Sequence, residues 1–296
     1  MAITIEQLAE LESGLIRTLQ GGRIDRISDS VLEWQPHKHG TVGLWNGNLW
    51  LPITPTVNPQ LLTSDLDIDG AALTADTNYD IFAEYYDEDT FKLVAKVWTG
   101  DNSHTVPRFN GVLVEDEDSD GYKRRYLGAV RLNSSGNFED DQRRRFVVNW
   151  DHWVVKQVRV RCNTAANWNY DGDGAVVELR NGSNVERGEF ICIHSGVHYC
   201  GGASIFRNQR GYSDEPARGR TDIGASMNTV ANSSKGWWGY SDGKDYRIPA
   251  TSITAIGQEY PSIGYNYVTI TYRSWEATNV YCESGTYDGG AWLIQA

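Results

Sequence analysis

Residues 122–153 constrain the fold of this 296-residue chain more than any other stretch. Residues 125–132 are rich in Tyr, Val and Leu and alternate weakly in polarity, which predicts a β-strand. Residues 133–137, with the sequence NSSGN, form a turn cluster. Residues 146–150, with the sequence FVVNW, predict a second strand. The stretch therefore closes one β-rich unit and opens another.

Composition and strand spacing favour an all-β protein. The chain has 30 Gly, 11 Trp and 16 Tyr but only 2 Met, so it is rich in aromatic residues that favour strands and in residues that favour turns. Short strand-like segments recur on both sides of the central stretch. We predict a small antiparallel β domain over residues 23–145 and a jelly-roll-like β-sandwich over residues 146–296. One short helix is predicted before them, within residues 1–22.

The N-terminal segment contains the one strong helical pattern. A capping box (TIEQ) opens the predicted helix over residues 4–19, and Leu and Ile recur near one of its faces. Gly21 and Gly22 are expected to end it. The apolar face can pack on its own domain, bundle with copies of itself, or dock on another protein. The two glycines are expected to let the helix swing away from the β domain.

Charge and composition exclude several classes of function. The formal net charge is −12 and the pI is about 4.9, so nucleic acid is not an expected partner. No apolar run approaches the length of a membrane span, and no basic segment leads into an apolar core at the N-terminus, so neither membrane insertion nor a secretory signal is expected. The 4 cysteines are sparse for a disulfide scaffold. Nucleotide-binding and nucleophile-elbow motifs are missing, so the sequence predicts no cofactor and no enzymatic activity.

Residues 65–76 (DLDIDGAALTAD) match the start of a calcium-binding loop. Asp65, Asp67 and Asp69 alternate and are followed by Gly70, as in that loop. The twelfth position holds Asp76, which is shorter than the bidentate Glu expected there. The same alternation is typical of an edge strand that leads into a turn, and this alternative remains open.

Residues 192–200 (CIHSGVHYC) contain a possible zinc set. If SGV turns a β-hairpin, then Cys192, His194, His198 and Cys200 share one face of it. Two Cys and two His are suitable zinc ligands, although the spacing is not that of a familiar zinc module. The alternatives are a cross-strand cysteine pair or plain packing.

Two further segments carry candidate contact residues. A long polar loop is predicted over residues 208–247, and it contains Trp237, Trp238 and Tyr240. Exposed aromatic residues stack on sugars or anchor protein interfaces, and they fill core gaps equally well. Residues 37–39 (HKH) are expected to lie in a solvated loop.

Five segments together resemble, in order, segments of bacteriophage virion structural and tail-fibre proteins. The signature consists of RRYLG followed by RRFVVNWDHWV, and the whole resemblance covers roughly residues 40–296. The chain departs from that family at Asn266, where the family often carries His. The segments are LWNGNLW at 44–50, LTADTNYDIFAEYYDEDTFKLVAKVWT at 73–99, RRYLG at 124–128, RRFVVNWDHWV at 144–154 and EYPSIGYNYVTITYRSWEATNVYCESG at 259–285.

The resemblance implies a structural component of a phage particle, made in the cytoplasm of the bacterial host. A tail fibre or appendage involved in host attachment is the leading expectation, with other virion proteins and a host-surface glycan or protein as partners. The alternatives are a capsid decoration or head-fibre protein, and a glycan-degrading tail spike. The resemblance and the predicted C-terminal jelly roll imply a homotrimer, and residues 291–295 are predicted to form an apolar edge strand that needs cover. Residues 1–22 are expected to attach the protein to the particle, with the C-terminal domain facing outward.

Overall fold

The computed structural model confirms the predicted all-β fold class, with several antiparallel sheets and almost no helix in the part of the chain that it describes. The chain divides into two compact units. Unit 1 is Met1–Asp140, Phe146–Val154 and Ala296, and unit 2 is Asp141–Arg145 and Val155–Gln295. The structure describes residues 14–16, 18–100, 103–109, 112–115, 123–152, 154–163, 168–171, 176–178, 180–181, 184–193, 199–209, 219–228, 238–243, 248–275, 279–282 and 287–295.

The strands are numbered in chain order. Those of unit 1 are β1 (Gly22–Ser28), β2 (Val31–Pro36), β3 (Val42–Trp45), β4 (Trp50–Ile53), β5 (Gln60–Leu62), β6 (Asn78–Tyr85), β7 (Phe91–Val97), β8 (Arg108–Phe109), β9 (Val112–Glu115), β10 (Arg124–Arg131) and β12 (Val147–Asn149). Those of unit 2 are β11 (Arg144–Arg145), β13 (Val155–Asn163), β14 (Trp168–Asp171), β15 (Val176–Glu178), β16 (Arg180–Asn181), β17 (Asn184–Val185), β18 (Arg187–Cys192), β19 (Tyr199–Gln209), β20 (Gly219–Met227), β21 (Trp238–Gly243), β22 (Ile248–Glu259), β23 (Gly264–Trp275), β24 (Asn279–Cys282) and β25 (Tyr287–Gln295).

Unit 1 is built around the sheet β7-β6-β10-β9-β8, in which β12 also pairs with β10. Six consecutive residues from the start of β6 are buried, as expected for a central strand covered on both faces. Strand β7 instead alternates buried and more exposed residues, so it buries one face. The sheet β1-β2-β5 and the hairpin β3–β4 contribute to the same core, where Trp34 meets Phe91 edge-on at 5.4 Å.

Unit 2 has the strand order of a jelly roll. Its four-stranded sheet runs β13-β25-β19-β22, and its larger sheet contains the run β18-β23-β20-β21. Counted one to eight along the chain, these strands are ordered 1-8-3-6 and 2-7-4-5. The sheets approach closely at Gly188, where a Cβ atom would lie 2.4 Å from the Val158 side chain. The predicted sandwich is therefore present, and glycine is required at this contact.

Three sequence expectations differ from the structure. The unit boundary is not a single point at 145/146, because β12 pairs with β10 in unit 1 while β11 pairs with β18 in unit 2. The predicted loop over residues 208–247 contains β20 and β21. The final strand β25 is not an edge strand, since it is hydrogen-bonded to β13 on one side and β19 on the other. The edge argument for a trimer is therefore wrong.

Candidate functional site

Unit 1 contains a polar cleft of about 640 Å³ where several separate segments meet. The segment that precedes β1, the 37–39 loop, strands β8 to β10 and the residues after β12 all contribute to it. Its lining residues are Gly14, Thr18, Gln20, Lys38, His39, Arg108, Val112, Leu113, Arg125, Tyr126, Trp150, Asp151 and His152.

Arg125 supplies a buried positive charge to this cleft. Its guanidinium donates hydrogen bonds to the Gln20 side-chain oxygen and to the Gly43 carbonyl, both at 3.1 Å. The Asp151 carboxylate lies 4.0 Å away and is itself 40% exposed, so it offsets the charge only partly. Burial lowers the pKa of Arg125 to about 10, and Asp151 acts in the opposite direction. Arg125 therefore stays charged at neutral pH.

His152 binds the backbone of Gln20, whose side chain binds Arg125. Its Nε2 atom donates to the Gln20 carbonyl at 2.7 Å, and its ring meets His37 edge-on at 4.9 Å. Burial lowers the pKa of His152, the hydrogen bond to Gln20 opposes this, and Lys38 and His37 lower it further. The imidazole is therefore neutral at pH 7 and acts as a hydrogen-bond donor to the backbone.

Asn149 fixes the start of the first strand to β12. Its side-chain oxygen accepts from the Ile24 amide at 2.6 Å, and its side-chain nitrogen donates to the Ile24 carbonyl at 3.0 Å. Both residues are buried. The resemblance segments RRYLG and RRFVVNWDHWV therefore place polar side chains around the point where the N-terminal segment joins the β fold.

This arrangement overturns the expected hinge at the two glycines. The Gly21 amide donates to the Thr41 carbonyl at 2.8 Å, and Gly22 lies in β1 against the Trp34 ring. A Cβ atom on Gly22 would lie 1.9 Å from Trp34, so glycine is needed there for close packing and not for swinging. Residues 14–16 are helical, within the predicted helix, whereas residues 4–13 lie outside the described part of the chain.

A second polar cluster in unit 1 was missed by sequence reasoning. Asp80 accepts hydrogen bonds from Trp98 Nε1 at 2.9 Å and from His104 Nδ1 at 3.0 Å, and the His104 ring stacks on Trp98 at 4.3 Å. Burial, followed by the nearby Asp80 carboxylate, raises the pKa of Tyr126 well above its ordinary value. The His104 and Asp80 side chains are only 9% and 6% exposed, so the cluster is a structural network that substrate does not reach.

The aspartates of the calcium-like stretch satisfy backbone groups. Asp67 accepts from the Asp69 amide at 3.0 Å and from the Ala71 amide at 2.8 Å, and Gly70 takes a positive φ of 82°. The Asp65 carboxylate accepts from the Leu62 amide at 2.8 Å. Among the described residues, no three His, Cys, Asp or Glu side chains are grouped to hold a metal ion. Residues 65–70 form turns with a single β-bridge between Leu66 and Ala72, so the predicted edge strand is not present here.

Strands β18 and β19, which flank the predicted 192–200 hairpin, do not pair with each other. Cys192 is buried at the end of β18 opposite Gly264, whereas Cys200 lies on β19 opposite Leu293. The two strands belong to different sheets, so these cysteines are not cross-strand neighbours. His194 and His198 lie outside the described residues. The zinc set stays a prediction, because two of its four ligands lie outside the described residues.

Two of the three aromatic contact candidates, Trp238 and Tyr240, belong to strand β21 and not to a loop. On the neighbouring strand β20, Gly224 lies opposite Trp238 and Asp222 lies opposite Tyr240. Among the described strands, β21 pairs only with β20 and so forms an edge of the larger sheet. Trp237 lies outside the described residues.

Asn266, where the resembled family often carries His, is a buried structural residue. Its side-chain nitrogen donates to the Ser262 and Gly264 carbonyls at 2.7 and 2.8 Å. Its side-chain oxygen accepts from the Ser262 amide at 3.0 Å and from Asn228 Nδ2 at 2.7 Å. The amide satisfies two donors and two acceptors at once, and it thereby fixes the turn that leads into β23.

Comparisons with known proteins find no family for this chain. No protein-family model matches it, and no curated protein is significantly similar. The Eiger TNF from S. frugiperda matches with a TM-score of 0.28 and 8% identity over 48% of this chain and 93% of its own. An infectious bursal disease virus structure (Gx strain) matches with a TM-score of 0.28 and 12% identity over 93% of this chain and 65% of its own. The Cry4Aa toxin of Bacillus thuringiensis matches with a TM-score of 0.25 and 7% identity over 93% of this chain and 51% of its own.

These structural matches carry no argument about function, because their TM-scores are all below 0.5. The chain also spans only about two thirds of the viral protein and about half of the toxin. In the part of the chain that the structure describes, no helix has the length and apolar character needed to cross a lipid bilayer.

Proposed function

We propose that this protein is a non-enzymatic structural component of a bacteriophage particle, serving as a tail fibre or similar appendage in host attachment. The observation that carries the proposal is the jelly-roll strand order of unit 2. This architecture is used by viral capsid proteins and by lectin domains, which respectively assemble and bind glycans. Fold alone does not determine function, so the proposal also rests on the resemblance to virion proteins.

The resembling segments support the proposal because they occupy the structural centre of unit 1. Strand β10, which contains RRYLG, pairs with β12 from the FVVNW segment and with β6 from the LTADTNYD segment. Strand β6 pairs in turn with β7. Segments far apart in sequence therefore form one contiguous sheet, as expected if they specify a shared fold.

Within this proposal, unit 2 faces the host and the N-terminal segment contacts other virion proteins. The edge strand β21, with Trp238 and Tyr240, is the proposed contact with a neighbouring subunit or a host-surface glycan or protein.

A homotrimer remains part of the proposal on the strength of the resemblance alone. Light scattering of the purified protein at micromolar concentration should give three times the 33.2 kDa chain mass, and the monomer mass would refute the trimer.

Immunogold labelling of intact particles tests the proposal and its nearest alternative. An antibody against unit 2 should label the tail, whereas labelling of the capsid would favour a decoration or head-fibre protein. Incubation of the purified protein with capsular polysaccharide or lipopolysaccharide of a susceptible host should release no sugar. Catalytic release would instead identify a glycan-degrading spike.

The attachment role of the N-terminal segment needs a deletion that spares Gln20. Arg125 and His152 both bind Gln20, so a longer deletion would damage the cleft and confuse attachment with folding. Removal of residues 1–13 leaves these contacts in place. The truncated protein should fold normally and fail to join particles, and normal incorporation would refute attachment through this segment.

A further inference from the structure

Basic side chains outnumber acidic ones among the described residues that line the cleft in unit 1. Lys38, Arg108 and Arg125 line it, against the single carboxylate of Asp151 among the lining residues. The protein as a whole carries a formal net charge of −12. A concave surface with excess positive charge concentrates anions, and low-dielectric walls strengthen the attraction.

The 37–39 loop is held in a shape that presents its polar side chains at the cleft. Lys38 adopts a positive φ of 57°, a conformation uncommon for residues other than glycine. The amides of His37 and Gly40 both donate to the Gly21 carbonyl, which keeps this turn in place. The loop is solvated, as the sequence predicts, since all three of its residues are exposed, and these bonds fix the position of Lys38 within it.

His39 adds a hydrogen-bond donor of defined tautomer. Its Nδ1 atom accepts from the Thr41 amide at 3.2 Å, so the proton of the neutral ring resides on Nε2. His39 and Lys38 are both exposed and both line the cleft. An N–H donor beside lysine and arginine side chains is the combination that binds carboxylate and phosphate oxygens.

We propose that this cleft binds an oxyanion, a carboxylate or phosphate group carried by a sugar. Lys38, Arg108 and His39 contact the anion, and buried Arg125 adds positive charge behind them. The cleft volume of about 640 Å³ lies within the range of small-molecule sites. Trp150, which also lines the cleft, offers an aromatic surface for the sugar ring.

Calorimetric titration of the purified full chain with three sugars tests this inference. D-glucuronate carries a carboxylate, D-glucose 6-phosphate carries a phosphate, and D-glucose is the neutral control. One or both acidic sugars should bind, with affinity that falls as salt is added, and glucose should not bind. The acidic sugar that binds more tightly shows whether the cleft prefers a carboxylate or a phosphate. Failure of both acidic sugars to bind, or equal binding of glucose, would overturn the proposal.

Charge-removing variants locate the site. Lys38→Asn preserves a residue that tolerates positive φ, and Arg108→Gln preserves the side-chain length approximately. Each should weaken binding about fivefold, as expected for loss of one solvent-accessible ion pair. Lys92→Gln removes a lysine from β7 that does not line the cleft and should leave the affinity unchanged. Equal affinities in all three variants would show that the binding lies elsewhere. Because binding is measured on isolated protein, the result is independent of whether the protein belongs to a particle.

Discussion

Replacement of Asn149 by Ala should destabilise unit 1 strongly, although the residue contributes little apolar surface. The variant removes the acceptor of the Ile24 amide and the donor to the Ile24 carbonyl. Ile24 is 0% exposed, so neither backbone group regains a water molecule. Two lost hydrogen bonds that leave buried partners unsatisfied cost roughly 2–4 kcal/mol in the free energy of unfolding.

Urea denaturation followed by tryptophan fluorescence measures this loss, and hydrogen exchange locates it. The amides of β1 should exchange faster in Asn149→Ala, while those of β23 in unit 2 should keep the wild-type rate. Asn48→Ala is the matched control, because Asn48 is exposed in the β3–β4 turn and should change stability by less than about 0.5 kcal/mol. A loss below about 1 kcal/mol for Asn149→Ala would refute the reasoning that these bonds anchor β1.

Three further changes probe other parts of the fold. Gly22→Ala should cost about 1–3 kcal/mol of unfolding free energy in urea, because its methyl group overlaps the Trp34 ring; a neutral effect would restore the hinge interpretation. Asn266→Ala should destabilise unit 2 by roughly 2–4 kcal/mol, since four hydrogen bonds are lost from a fully buried position, and an unchanged calorimetric melting temperature would contradict this. Burial holds the pKa of folded His152 below its unfolded value of about 6.5, so the unfolded state binds protons more readily and stability should fall as pH drops below about 6.5. Thermal melts from pH 8 to 5 should show a smaller decline in His152→Gln, and an identical decline would exclude His152 as the cause.

Local patterns predicted the elements that depend on neighbouring residues. The dipeptide Asn46-Gly47 is a typical hairpin-turn sequence, and it lies in the β3–β4 connection, where Gly47 takes a positive φ of 96°. Alternating polarity and aromatic content identified strands on both sides of the central stretch and the two-sheet architecture of unit 2. These features follow from side-chain period and turn chemistry, which a sequence displays directly.

Long-range pairing explains most of what the sequence did not reveal. Gln20 and Arg125 are 105 positions apart, and Ile24 and Asn149 are 125 apart, so no local pattern links them. The interior position of β25 likewise depends on partners at β13 and β19. One signal was present for Asn149, a polar residue inside the otherwise apolar segment FVVNW. Such a residue is buried only with specific partners, and this would have marked Asn149 as a structural candidate. Arg125 follows Arg124 at the start of its strand, where a charged residue gives no such signal.

The central claim is that this protein is a structural component of a phage particle. Quantitative mass spectrometry of particles purified through a density gradient tests it most directly, using the phage that carries the gene. We expect several copies of the chain per particle, retained through repeated purification, and particles that lack it when the gene is deleted. Recovery of the chain only in the soluble host lysate, with none in purified particles, would contradict the account.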